Sequence, residues 1–364
     1  MKRTPNPFKP TAGKNPPELI GRSDVLLEFE EALQNGPGAP GCLMRISGIR
    51  GMGKTVMLNE LGALASQAGW IVLDETASGP FTQRMSDRLS GTDWSHAVVE
   101  PEVLGVKIGS LQVDKPNTSL QDILLRFSQG PGLLITLDEV QDASLEETKA
   151  LAIAIQHVIR KDGNIAFVFA GLPSMVEGVV NSESLTFLRR AVPFTLGPLE
   201  TYQIFDSLGD TFRSAGMGVD DPVVDCLARA TGGYPFMVQL VGYHTWQQAT
   251  RRGASSITEE DAALGVAVAR QRFDETVIEP ILHHMAPMQV RYLLAMAEDA
   301  DGSSSTGAVA QRLGKPASEA GVYRERLIVA SVIDAGAWGR VRFAIPYMGE
   351  YLRQHADQIR RELG

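Results

Sequence analysis

Gly48-Ile49-Arg50-Gly51-Met52-Gly53-Lys54-Thr55 presents glycine, four open positions, glycine, lysine and a hydroxyl residue in the order of a P-loop. It lies between an apolar run, Leu43 to Ser47, and a helical pattern from about Gly53 to Gln67. A strand, a tight turn and a helix must therefore follow one another, which commits this part of the chain to an α/β architecture. The residue types have distinct tasks. Glycines let backbone N–H groups crowd round phosphates, and the helix N-terminus adds positive potential. Lys54 reaches the β and γ phosphates, and Thr55 offers a hydroxyl to Mg2+. Gly48, Arg50, Gly51, Met52, Gly53, Lys54, Thr55 and Val56 are the candidate ATP-binding residues. The plain alternative is a glycine-rich turn that merely joins strand to helix, and the full pattern between an apolar strand and a helix weighs against it.

A second apolar run, Leu133-Leu134-Ile135-Thr136-Leu137, ends in Asp138-Glu139 about eighty residues after the P-loop. Ligands of open parallel sheets bind at the carboxyl ends of the strands. Asp138 there can hold Mg2+ through water. Glu139 can orient and deprotonate an attacking water, with Lys54 assisting at the phosphates. Alone, the pair would read as acidic residues capping the next helix; behind a full P-loop it reads as the second half of an ATPase site.

The alternation continues with apolar runs at Trp70 to Glu75 and Ile165 to Phe169, separated by helical patterns, as in a parallel sheet covered on both faces. Ahead of it, Pro7, Pro10, Pro16 and Pro17 disfavour helix and predict an extended arm packed on a domain surface. Periodicity breaks down between Thr76 and Asn117, read as an insertion in which Val103 to Val113 could form a hairpin. From Leu199 helical patterns dominate, with Thr258-Glu259-Glu260-Asp261 as a helix start, and from Pro287 the pattern is mixed again. The predicted division is a P-loop core over residues 1–198, a helical lid over 199–286 and a terminal domain over 287–364.

Ile20-Gly21-Arg22-Ser23, the P-loop, Leu137-Asp138-Glu139-Val140 and Gly232-Gly233-Tyr234-Pro235 together resemble the origin-recognition-like AAA+ ATPases of bacteria and archaea, which adjoin the signal-transducing STAND ATPases. The likeness runs over almost the whole chain. It implies that Gly21 and Arg22 lie over the adenine and that Pro235 of the lid touches the nucleotide. Arg22 can equally be a solvated charge before a helix, and Pro235 the first residue of one. Arg189-Arg190 stand where such proteins present an arginine finger to a neighbouring subunit, so Arg189 is a candidate catalytic residue of a homo-oligomer. Two departures matter. No arginine stands in the lid motif, which favours the STAND-like branch, and the strand Ile165 to Phe169 leads to Ala170-Gly171-Leu172-Pro173-Ser174, where only Ser174 could sense the γ-phosphate.

The tail resembles a winged helix, with helices at Thr306 to Leu313 and Ala317 to Ile328 and a wing at Gly336-Ala337-Trp338-Gly339-Arg340 between the strands Val332 to Ala335 and Val341 to Ile345. Thr306 is the expected N-cap. The resemblance makes Lys315, Ser318, Arg324, Arg340 and Arg342 the DNA-facing candidates, with Lys315 and Arg340 on phosphates and Ser318 or Arg324 at base edges. Tyr323 and Leu327 belong to the core. Winged helices also bind proteins, which keeps that alternative open.

The net charge of -9 excludes a surface coated for nonspecific nucleic-acid binding. Residues 287–364 nevertheless hold ten Lys or Arg and nine Asp or Glu, so the tail is near neutral while the body is acidic. Cys42 and Cys226 lack metal or disulfide spacing and are expected reduced and buried. No apolar run is long enough to cross a membrane, and the N-terminus has no apolar signal core, so the expected location is the cytoplasm. The reading is a nucleotide-controlled switch that acts on double-stranded DNA. Its rivals are a signalling ATPase whose terminal domain binds protein and a nucleotide-binding regulator that hardly turns over.

Overall fold

The computed structural model describes residues 4–11, 13–91, 119–300 and 302–364. They form two compact units: Ser23–Ser47 with Lys54–Thr195, and the arm up to Arg22 with Gly48–Gly53 and Leu196–Gly364.

The first unit runs α1 (Ser23–Asn35), β1 (Leu43–Ser47), α2 (Lys54–Gln67), β2 (Ile71–Thr76), α3 (Phe81–Gly91), α4 (Leu120–Ser128), β3 (Leu133–Asp138), α5 (Leu145–Arg160), β4 (Ile165–Gly171), α6 (Pro173–Asn181) and β5 (Val192–Thr195). Its sheet has five parallel strands in the order β2-β3-β4-β1-β5. Every residue of β4 is buried, and so is all of β3 before Asp138. Such unbroken burial needs cover on both faces, which is why these strands read as continuous apolar runs. Parallel register pairs Leu137 with Phe169 and Asp138 with Thr76, so the carboxyl ends of the strands lie along one edge. The α/β parallel sheet expected from the sequence is the observed one.

Residues 76–91, assigned above to an irregular insertion, instead contain α3. Phe81, Met85 and Leu89 recur every fourth residue and are buried in the core with Ile123 and Leu124 of α4. Thr82 donates twice to Glu147 on α5, through its N–H and its hydroxyl, both at 2.8 Å. The hairpin expected over Val103 to Val113 lies outside the described residues.

In the second unit, α7 (Thr201–Ser214), α8 (Asp221–Arg229), α9 (Pro235–Arg251) and α10 (Glu259–Phe273) form a helical array. The predicted start at Thr258 is a capping box with Asp261. The arm is anchored by Phe8, buried 5.0 Å from the Phe212 ring, and a Cβ at Gly242 would sit 2.3 Å from Phe8. A π-helical turn, Asp274–Ile278, leads to α11 (Glu279–His283) and α12 (Pro287–Ala297). Then come β6 (Ser303–Ser305), α13 (Thr306–Arg312), α14 (Ala317–Val329), β7 (Ile333–Ala335), β8 (Arg340–Phe343), α15 (Met348–Gln354) and α16 (Ala356–Glu362). The strands form an antiparallel sheet in the order β6-β8-β7. The N-cap position of α13 is Ser305 rather than Thr306, whose hydroxyl bonds the Gly339 carbonyl at 3.1 Å.

Cys42 is buried, and burial pushes its thiol up to about 11. Cys226 is exposed, contrary to expectation, because α8 buries Val223, Val224, Leu227 and Ala228 and turns Cys226 outward. No helix among the described residues is long and apolar enough to cross a membrane.

Candidate functional site

In the first unit the sheet brings together residues far apart in sequence. Lys54 and Thr55 open α2, and Asp138 ends β3. The Thr55 hydroxyl donates to Asp138 Oδ2 at 2.5 Å across 83 positions of sequence. Asp138 Oδ1 accepts the Glu139 N–H at 2.9 Å. Glu139 adopts a left-handed backbone, φ 55° and ψ 47°, a conformation that costs a non-glycine residue about 1 kcal/mol. Gln141 Nε2 donates to Glu139 Oε2, and Gln141 Oε1 accepts the Leu172 N–H at 3.4 Å, just past the end of β4. The Glu139 carboxylate is thereby tied to the edge of the sheet. Lys54 is 5% exposed. Burial raises the Asp138 carboxyl above its ordinary range, the Thr55 hydrogen bond opposes this, and the charges of Glu139 and Lys54 raise and lower it in turn.

The glycine stretch of the P-loop packs within the second unit. Gly51 and Gly53 have φ of +78° and +86°, the left-handed region that glycine adopts without steric cost. Tyr234, the N-cap residue of α9, donates its hydroxyl to the Arg50 carbonyl, and its ring covers Gly51. Gly21 also has a left-handed φ, +61°, and a Cβ there would meet the Gln203 side chain at 2.5 Å. Arg22 donates to the Gly197 carbonyl at 2.6 Å. Next to that carbonyl, the Leu199 N–H donates to the Gly233 carbonyl at 2.8 Å, joining the turn between α8 and α9 to the segment that leads into α7. Pro235 occupies the first turn of α9, where its missing N–H costs nothing.

Comparison with solved structures decides the fold. The ORC2 protein of Aeropyrum pernix, in ADPNP-ADP complexes, superposes with a TM-score of 0.64 at 14% identity over 97% of each chain. A Walker-type ATPase of Pyrococcus abyssi gives 0.67 at 16% identity, over 92% of this chain and 96% of that one. RuvB of Thermotoga maritima, a Holliday junction branch migration motor, gives 0.50 at 14%, over 92% and 95%. The chain has an origin-recognition-like AAA+ fold. Residues 275–352 also match a family described as a domain of unknown function (DUF8462). No curated protein matches the chain.

Within this AAA+ core the other expected residues are placed as follows. Ser174 is half-buried in the first turn of α6, three residues past β4. Arg189 donates to the Val180 and Asn181 carbonyls at the end of α6, both at 3.3 Å, and both Arg189 and Arg190 are exposed. In the terminal segment, Lys315 pairs with Glu319 at 2.8 Å and Arg342 with Asp334 at 3.6 Å. Arg340 donates to the Ser303 hydroxyl and carbonyl at 2.8 and 2.6 Å and lines a cleft with Glu298 and Asp299. Ser318 is exposed and Arg324 half-buried; Leu327 is buried and Tyr323 half-buried, in line with a core-facing pair. Trp338, at the tip of the β7–β8 hairpin, is fully exposed. The sequence reading missed Gln141 and Tyr234. Gln141 follows Glu139 with no motif to flag it, and Tyr234 stood in the lid motif as a spacer.

Proposed function

We propose that this protein is an ATP-dependent molecular switch in which ATP binding and hydrolysis at the P-loop govern how the terminal domain engages double-stranded DNA. The observation that carries the reading is the convergence of Thr55 and Asp138 at the carboxyl edge of the sheet, with Lys54 and Glu139 as their chain neighbours. A hydroxyl and a carboxylate that meet in this way are hard oxygen donors of the kind Mg2+ takes, so Thr55 and Asp138 fit as its holders. Mg2+ bound there would neutralise charge on the β and γ phosphates. Lys54 supplies a buried cation to the phosphate oxygens. Glu139, its carboxylate held by Gln141, orients the attacking water and accepts its proton.

Gly21, Arg22 and Pro235 are proposed to contact the nucleotide, and Gly48, Arg50, Gly51, Met52, Gly53 and Val56 to line the phosphate loop. The division at residues 198/199 and 286/287 is proposed as the functional one: core, lid and terminal winged helix. The helix pair α13–α14 followed by a hairpin supports the winged-helix assignment. The likeness to RuvB supports a DNA partner at the level of fold. Lys315, Ser318, Arg324, Arg340 and Arg342 are the proposed contacts. Exchange of the Glu319 and Asp334 ion pairs for phosphate would make that binding strongly salt-dependent. Assembly into a homo-oligomer would present Arg189 or Arg190 as an arginine finger, and the two free cysteines fit a reducing, cytoplasmic setting.

A second reading, in which the terminal domain binds protein, is favoured by Trp338. A fully exposed tryptophan at a hairpin tip, beside cations already paired, is the kind of anchor that protein interfaces bury. The test is ATP hydrolysis by wild type and by Glu139→Gln, with and without duplex DNA at low and moderate salt. Glu139→Gln is expected to bind ATP and to lose about 100-fold or more of the rate, and DNA to change the wild-type rate. A wild type that binds no nucleotide overturns the ATPase reading, and one that hydrolyses ATP but ignores duplex DNA transfers the terminal domain to a protein partner.

A further inference from the structure

The turn from α8 to α9, Ala230 to Tyr234, is gripped from two sides, and both grips are aromatic hydroxyls. On one side Tyr234, 1% exposed, donates to the Arg50 carbonyl. A Cβ built on Gly51 would lie 2.5 Å from both Cε1 and the hydroxyl of Tyr234, so the ring rests directly on the glycine backbone. On the other side Tyr347 donates to the Ala230 carbonyl at 2.5 Å, and a Cβ on Gly232 would lie 3.4 Å from Pro346 and 3.5 Å from the Tyr347 hydroxyl. Phe273 stands between the two tyrosines. Its ring meets Tyr234 edge-on at 5.3 Å and Tyr347 edge-on at 6.3 Å, both favourable geometries.

The first grip acts on the peptide that joins Arg50 to Gly51. That peptide is planar and trans, so its carbonyl and the Gly51 N–H point in opposite directions. Holding the Arg50 carbonyl on the tyrosine therefore fixes the Gly51 N–H away from it, in the orientation a loop that cradles phosphate needs, and keeps a carbonyl oxygen from turning toward an anion. Burial pushes the Tyr234 phenol up, so it stays a donor at any physiological pH. The second grip belongs to the terminal domain, since Tyr347 lies within the family-matched stretch 275–352. Tyr347 has a left-handed φ of +64°, which a tyrosine adopts only when its surroundings hold it. Here the Arg270 guanidinium stacks 4.3 Å from its ring and is itself paired with Glu350 at 3.2 Å.

We infer that Tyr234 is a positioning residue for the P-loop and that Tyr347, through the 230–234 turn and Phe273, transmits the state of the terminal domain to it. This deepens the switch and rests on the P-loop being a nucleotide site. Linkage makes the effect reciprocal: a partner that shifts Tyr347 changes nucleotide affinity, and nucleotide changes affinity for that partner by the same factor.

The experiment measures the Kd of a fluorescent ATP analogue, the KM and kcat of hydrolysis and the Tm for the full chain as wild type, Lys54→Ala, Tyr234→Phe, Tyr347→Phe and the double Phe variant. Tyr234→Phe keeps the ring and removes one hydroxyl. It is expected to raise Kd and KM by roughly 3- to 10-fold, the range for one lost hydrogen bond, with kcat at saturation little changed. Tyr347→Phe is expected to weaken nucleotide binding in the same direction, and the double variant to weaken it by less than the product of the singles. A merely structural role would lower Tm without moving Kd. If wild type binds nucleotide, Lys54→Ala abolishes it and Tyr234→Phe leaves Kd unchanged, the positioning role is wrong while the nucleotide site stands. If the two single effects multiply, the transmission is wrong. A wild type that binds no nucleotide overturns both this inference and the ATPase reading.

Discussion

Gly51 and Gly53 share a left-handed backbone but not an environment, and that difference predicts unequal costs for the same substitution. A Cβ on Gly53 meets nothing within 4 Å, whereas one on Gly51 would lie 2.5 Å from Tyr234 Cε1 and Oη and 2.7 Å from Cζ. Alanine at either position bears the positive-φ penalty, about 1 kcal/mol. At Gly51 it must also displace a ring that is 1% exposed and wedged against Phe273, an overpacking cost of about 1–3 kcal/mol. The totals are about 1 kcal/mol for Gly53→Ala and about 2–4 kcal/mol for Gly51→Ala. For a unit of this size each kcal/mol moves Tm by about 2–4 °C. Calorimetry on the nucleotide-free protein should therefore show Gly51→Ala melting roughly 2–12 °C below Gly53→Ala. The cause is separable, because in a Tyr234→Ala background the ring is gone and the two alanine variants should converge. Equal losses at the two glycines in the wild-type background, or a gap that survives removal of the ring, would refute the argument that Tyr234 seats directly on the loop.

Two further outcomes follow from the site and from the π-helical turn after α10. Gln141→Ala frees the Glu139 carboxylate and should lower kcat by roughly tenfold or more, with KM little changed, in steady-state ATP hydrolysis; a kcat within about twofold of wild type would show that Glu139 needs no tether. Burial pushes Asp274 up to about 6, with Glu279 and Glu350 adding to the shift and His355 and Arg270 opposing it. A carboxyl raised on folding contributes stability below its unfolded value, near 4, and loses it as pH climbs through about 6. Asp274→Asn should therefore raise Tm relative to wild type at pH 7.5 and show a smaller gain at pH 4.5; an equal gain at both would mean that the carboxylate's charge is not what strains this turn.

What could be read from the chain divides along the reach of the interactions involved. The P-loop, Asp138 and the sheet were legible because each is written in a few consecutive residues: a glycine pattern at a strand–helix junction, and apolar runs whose unbroken burial in β3 and β4 requires cover on both faces. The helix α3 was equally local, with Phe81, Met85 and Leu89 at helical spacing, but the polar residues between them gave its neighbourhood the look of a loop. The strand β6 had no local signal at all, because Ser303–Ser305 becomes a strand only through its pairing with β8 and the bond from the buried Ser304 hydroxyl to the Met296 carbonyl. Charge pairing divides the same way: Glu319 stands four residues after Lys315 and its pairing is local, whereas only the return of β8 beside β7 brings Asp334 to Arg342. Tyr234 is the extreme case. Its partner Arg50 lies 184 positions away, and nothing in Gly233-Tyr234-Pro235 says that the middle residue holds the phosphate loop rather than spacing its neighbours. A motif reports which residues a site needs, while the groups that orient those residues come from wherever the fold brings a donor to a carbonyl.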